Sequence, residues 1–136
     1  MDFHVEQMLR THPHQRANNI GGVAACIVAC LDCAAACSGC ADACIAENDT
    51  QRLLRCIRLN QDCATVCRST AEILSRSSQP DWAVLGTLVD ACRVACRACA
   101  EECERHARHM HCRICADAWR RAERAAGDVV AGIRAP

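Results

Sequence analysis

Between residues 26 and 44, cysteines recur at steps of 4, 3, 4, 3 and 4: Cys26, Cys30, Cys33, Cys37, Cys40 and Cys44. This is the a/d rhythm of a helix seam, in which residues three and four apart stack on one face. Three later stretches keep the same spacing. The second seam is Leu53, Cys56, Asn60, Cys63, Cys67, Thr70 and Leu74. The third is Trp82, Leu85, Val89, Cys92, Cys96, Cys99 and Cys103. The fourth is Cys112, Cys115, Trp119, Ala122, Ala126, Val129 and Ile133. The pattern predicts helices from about Ala17 to Glu47 and from about Thr50 to Ser75, a third opening at Pro80, and a fourth opening at His111-Cys112. Proline suits a first helical turn. Asn48-Asp49-Thr50 reads as a turn and cap, 75–80 as a loop, and 107–110 as a break.

Ahead of the seams, Val5, Met8, Leu9 and His12 share one face of a short helix that Asp2 caps and Pro13 ends. His4, His12 and His14 read as surface residues. The expected organisation is a short N-terminal helix and linker (1–14) followed by a single domain (15–136). That domain is all-α, an up-down-up-down antiparallel four-helix bundle. Ile20, Val23, Ile27, Leu31, Ala34, Ala41 and Ile45 form a second stripe beside the first thiol row. It reads as core-facing in preference to a subunit interface. The connectivity places Leu74, Trp82, Leu85 and Val89 as an apolar plug at one end. Cys44, Cys56, Cys103, His106, His109, Met110, His111 and Cys112 converge at the other.

Composition narrows the chemistry. The chain has 15 cysteines, no tyrosine and zero net charge. Zero net charge gives no reason to expect nucleic acid or an anionic membrane as a partner. All its basic side chains are arginine, so no Schiff-base or phosphate-loop lysine is available. The N-terminus shows no secretory pattern, and no run of about 18 apolar residues reads as a membrane span. The expectation is a soluble cytoplasmic chain, where abundant cysteine points to metal or redox chemistry.

Three readings of the thiol rows compete. Disulfides need Cβ atoms about 3.5–4.5 Å apart, whereas helix neighbours at i,i+3 or i,i+4 lie about 5–6 Å apart. Cysteine as a small buried hydrophobe accounts for one or two positions. It does not account for whole seams, because each missing large side chain costs about 2–5 kcal/mol of core stability. The third reading is metal. Two metal–thiolate bonds of about 2.3 Å bridge neighbouring sulfurs, and the first row is about 27 Å long at 1.5 Å per residue. Zinc wants four ligands in a closed tetrahedron, and fifteen thiolates around zinc would bury a large negative charge. Iron–sulfur clusters use one compact four-cysteine set. Soft Cu(I) takes few ligands, so many ions can share few sulfurs, and thiolate, thioether and imidazole select it.

The six-cysteine seam, the stretch Cys56-Ile-Arg-Leu-Asn60-Gln-Asp-Cys63-Ala-Thr-Val-Cys67, the stretch Cys96-Arg-Ala-Cys99-Ala-Glu-Glu-Cys103, and the His-rich turn into His111-Cys112-Arg-Ile-Cys115 resemble the cytosolic copper storage proteins. The resemblance covers nearly the whole chain. It implies many Cu(I) ions per bundle on bridging thiolates, further sites with His at the open end, and a homotetramer. Trp119 stands where some relatives extend the cysteine row, so fewer ions are expected in the plugged half. Asn60 is either a mouth ligand or a polar neighbour.

The expected function is storage without catalysis, with copper delivered by small thiols or copper chaperones. His106, His109, Met110, His111 and Cys112 would capture the ion. Exchange would be fastest at Cys44, Cys103 and Cys112 and slowest at Cys26. A metallothionein-like zinc and copper buffer and a thiol–disulfide redox module stay open as alternatives.

Overall fold

A computed structural model describes residues 3–14, 19–76 and 79–134. It contains α1 (Phe3–Arg10), α2 (Ile20–Ala46), α3 (Leu54–Leu74), α4 (Trp82–Glu104) and α5 (Met110–Arg134), with one 3-10 turn, Thr50–Leu53, leading into α3. Among the described residues there are no strands. Helix α2 packs on α3, α3 on α4, α4 on α5, and α5 back on α2; among the described residues the diagonal pairs meet through lumen side chains and not through close backbone approach. This closed ring of neighbours is the all-α, up-down-up-down bundle that the seams predict. Helix α1 lies against α2, and its Leu9 is buried.

Local chemistry sets the helix ends. Asn19 caps α2, its Oδ1 accepting from the Gly22 N–H at 3.0 Å. A side chain at Gly22 would collide with the Asn19 carboxamide. Glu47 leaves the helix with extended backbone, φ −75° and ψ 150°. Beyond it, the Thr50 hydroxyl reaches back to the carbonyls of Cys44 (3.1 Å), Ile45 (3.1 Å) and Glu47 (2.6 Å). Those are acceptors that a helix C-terminus leaves without internal partners. Asp81 caps α4 through the Val84 N–H at 3.1 Å.

The structure corrects several sequence expectations. Trp82 is 48% exposed. It is the first residue of α4, so the buried residues of the expected plug are Leu74, Leu85 and Val89 without it. The fully buried indole is Trp119. The fourth long helix opens at Met110, one residue early, and the second opens through a 3-10 turn. The second stripe of α2 divides: Ile27, Ala34 and Ala41 are buried, whereas Leu31 and Ile45 are exposed. His4 and His14 are exposed, and His12 is half-buried.

By length and composition alone α2 could cross a membrane, with a mean hydropathy of 2.1, contrary to the sequence reading. That apolarity comes largely from alanine and cysteine, and its cysteine face is buried against the other helices. The expected Asp2 cap, the Ala17 start and Ser77–Ser78 of the loop lie outside the described residues, as does the Ile133 side chain.

Candidate metal centre

Alanine-rich walls let the helices approach closely, and the seams deliver all fifteen cysteines to one axis. Each is buried and free. Sulfurs meet along and across helices: Cys33–Cys37 at 3.7 Å, Cys63–Cys67 at 3.5 Å, Cys63–Cys96 at 3.6 Å, Cys67–Cys92 at 3.7 Å, Cys30–Cys92 at 3.9 Å and Cys56–Cys103 at 3.7 Å. These are contacts between separate thiols, well beyond the S–S bond length of about 2.05 Å.

Four thiol-bearing groups can each converge on one ion, with ligand atoms within 4.8 Å of one another. Cys33, Cys63, Cys67 and Cys96 form one, and Cys30, Cys67 and Cys92 another. Cys40, Cys103 and Cys115 form the third, and Cys40, Cys44, His111 and Cys112 the fourth. Cys67 and Cys40 each belong to two groups, so neighbouring sets share sulfurs. Cys26 and Cys99 are buried in the same core, and Cys99 lies 3.9 Å from Cys103.

Burial pushes the thiols of Cys37, Cys44 and Cys63 well above the ordinary range. A hydrogen bond with Cys115 adds to the effect at Cys37, charge on Cys40 at Cys44, and a hydrogen bond with Cys33 at Cys63. These three sulfurs ionise when something replaces their proton, not in response to neutral water, whereas hydrogen bonds from neighbouring thiols hold Cys33, Cys40 and Cys92 below the ordinary range.

Two polar side chains interrupt the sulfur. Asn60 is fully buried. Its Oδ1 accepts from Cys99 at 3.1 Å and Cys115 at 3.2 Å, and its Nδ2 donates to Cys56 at 3.6 Å. It joins thiols from α3, α4 and α5, as the neighbour of several candidate ligands. The Trp119 indole N–H donates to Cys115 at 2.8 Å, ending the α5 row of sulfur.

The residues expected at the mouth separate into three settings. His111 faces the lumen, with Nδ1 3.4 Å from Cys40 and 3.6 Å from Cys112. His109 instead meets Glu47 and Asp49. His106 turns to Glu102, Nε2 to Oε2 at 2.9 Å. Glu102 is buried and also pairs with Arg55 and Arg105. Met110 is 59% exposed, and its sulfur accepts from Arg113 at 3.4 Å. Sequence reasoning missed Glu47, Asp49 and Glu102, because none sits on a seam.

Comparison with known proteins agrees with this geometry. The family profile described as copper storage protein, Csp, matches residues 20–131. An uncharacterized cysteine-rich protein, YhjQ of Bacillus subtilis (strain 168), is 37% identical over 94 residues, covering 69% of this chain and 82% of that protein. The copper storage protein Ccsp of Streptomyces lividans, solved loaded with 10 copper equivalents, is 45% identical. It superposes with a TM-score of 0.92 over 94% of this chain and 98% of its own. A structure of a cytosolic copper storage protein from the same organism with five coppers is 47% identical, with a TM-score of 0.80 over 81% and 92%. With its cysteine-lined bundle and a profile match running from the first turn of α2 almost to the end of α5, the chain belongs to the copper storage protein family.

Proposed function

We propose that this chain stores Cu(I) in the cytoplasm, several ions at a time, on thiolates that bridge neighbouring positions along the bundle axis. One observation carries the reading: sulfurs of different helices already lie 3.6–3.9 Å apart in groups that share members. Such an arrangement suits an ion that accepts two or three soft ligands. A set of separate zinc knuckles would instead give closed groups of four with nothing in common. The relative from Streptomyces lividans takes 10 copper equivalents, and a similar number is the expectation here.

Capture begins at Cys40, Cys44, His111 and Cys112, the group nearest the α4–α5 turn. Met110 offers an exposed thioether outside it, and His106 is held back by Glu102. Ions then pass inward by exchange between adjacent thiolates, reaching the Cys30 and Cys26 level last. The buried thiols are candidate ligands, and the buried Asn60 is a hydrogen-bond partner of three of them, which supports a store in preference to an enzyme. Small thiols or a copper chaperone supply the ion, and neither nucleic acid nor a membrane has a place in the scheme.

Anaerobic titration with Cu(I) against a competing chelator tests this. The expected result is saturation near ten ions per chain. Saturation at one or two would refute storage. Equal loading by Zn²⁺ in competition would favour a general metal buffer, and loss of thiols to mild peroxide in place of copper uptake would favour a redox role.

We also propose self-association as a homotetramer, supported by the exposed Leu31 and Ile45 on one stripe of α2. Light scattering should report four chains of 14.8 kDa each; a monomer at micromolar concentration would exclude it.

A further inference from the structure

The lumen sulfurs fall into two halves. Of the four thiol-bearing groups, the two on the side of the apolar end share Cys67, and the two on the side of the α4–α5 turn share Cys40. No group draws on both halves. Sulfur contacts divide in the same way. In the inner half, Cys30, Cys63, Cys67, Cys92 and Cys96 are linked at 3.5–4.0 Å. In the outer half, Cys40 meets Cys112 at 3.8 Å, and Cys103 meets Cys56 at 3.7 Å and Cys99 at 3.9 Å. Cys37 stands between them, 3.7 Å from the inner Cys33 and 3.9 Å from the outer Cys115. Among the described residues, no other hydrogen-bonded pair of sulfurs connects the halves.

Two side chains make the division. Along α3 the rhythm Cys56, Asn60, Cys63, Cys67 puts a carboxamide where the row would carry a thiol. Asn60 is fully buried and offers a hard carbonyl oxygen in place of soft sulfur. It bonds Cys99 at 3.1 Å, Cys115 at 3.2 Å and Cys56 at 3.6 Å, all of the outer half. Cys99, so held, stays apart from Cys96 one turn away on α4, since such neighbours have Cβ atoms about 5–6 Å apart. Along α5 the fully buried Trp119 takes the seam place after Cys115, and its N–H holds that sulfur at 2.8 Å. We propose, building on the storage reading, that Cys37 is the relay through which ions cross between the two halves, with Asn60 and Trp119 closing the other routes. An ion with two or three sulfur ligands moves by gaining the next before losing the last. It passes from Cys115 to Cys37 and from Cys37 to Cys33. Copper stays Cu(I) throughout. The incoming thiol gives up its proton as the new bond forms, and the thiolate left behind takes a proton as the old bond breaks. The inner half is then a reserve that fills and empties through one residue.

The test times anaerobic Cu(I) uptake from a coloured chelator and locates the ions by anomalous diffraction from crystals of protein loaded briefly and to completion. Cys37→Ser keeps the side-chain shape and removes the soft ligand. Its outer half should fill at the wild-type rate, while ions reach the inner half more slowly by about tenfold or more. Cys99→Ser also loses one thiol, but away from the crossing, and should fill both halves as the wild type does. Adding Asn60→Cys to Cys37→Ser supplies a sulfur between Cys56 and Cys63. Inner filling should recover, which a merely misfolded Cys37→Ser chain would not allow. Unslowed inner filling in Cys37→Ser, equal slowing in Cys99→Ser, or no recovery in the double variant would each overturn the relay. A full copper count in the wild type would then leave storage intact. Saturation of the wild type at one or two ions would instead refute storage.

Discussion

Saturation with Cu(I) is expected to raise the unfolding temperature by more than about 20 °C while the far-ultraviolet circular dichroism stays that of the apo protein. An ion bound only by the folded state adds about 4 kcal/mol at a free concentration a thousandfold above its dissociation constant. In a domain of this size each kcal/mol moves the midpoint by roughly 3–5 °C. Several ions therefore suffice, even after allowing for the copper that an unfolded polythiol also binds. The spectrum should not change because the sulfurs are already gathered before metal arrives: Cys63–Cys96 and Cys67–Cys92 bridge α3 to α4 at 3.6 and 3.7 Å. Binding also displaces thiol protons, so affinity should strengthen as pH rises. Scanning calorimetry of apo and loaded samples checks the prediction. Coincident melts would mean that the metal binds folded and unfolded chains equally, and that the preassembled lumen contributes nothing.

The apo protein should lose stability steeply in alkali. Burial holds Cys37, Cys44 and Cys63 above the ordinary thiol range. Beyond about pH 8.5 the unfolded chain releases these protons while the folded chain keeps them. The folded state then binds more protons than the unfolded one, so stability falls with pH. The slope is about 1.4 kcal/mol per pH unit for each thiol, or about 4 kcal/mol per unit for the three together. Stability present in full below the ordinary thiol value would thus be largely lost within two units above it, given a typical total of about 5–15 kcal/mol. Copper-loaded protein should escape this decline, because its sulfurs carry metal in place of protons. Urea unfolding between pH 7 and pH 10.5 measures both forms. A flat apo profile would show that the lumen thiols ionise as readily folded as unfolded.

The fold was legible because the seams are unusually regular. Steps of three and four put every cysteine inside, and the ring of helix contacts followed from short connections. Prediction faltered where regular helix stops. Trp82 continues the third seam by arithmetic, but it opens α4 and stands 48% exposed. Met110 fails similarly: the turn through 105–109 resets the helical phase, and its thioether meets Arg113 and not sulfur. Glu47 was invisible to periodicity because its extended backbone takes it out of register with α2. Asp49 and Glu102 are carboxylates off the seams, which ordinarily means a solvated face. Only the approach of α5 to the end of α2 gives Asp49 a histidine to hold, and only a pair of arginines and His106 makes burial of Glu102 tolerable. Asn60 could be placed on the thiol face from spacing, but its partners come from three helices and needed coordinates.

The spacing of the sulfurs also bears on bond angles. An ion held by two bonds of about 2.3 Å subtends an angle of about 100–120° between sulfurs that stand 3.5–4.0 Å apart. A linear pair would need about 4.6 Å by the same arithmetic. Left at its resting width, the lumen therefore favours trigonal, three-sulfur coordination over the straight two-sulfur kind. Each step towards linearity is taken most cheaply by turning a cysteine side chain, because parting the helices would expose the alanines buried along the bundle.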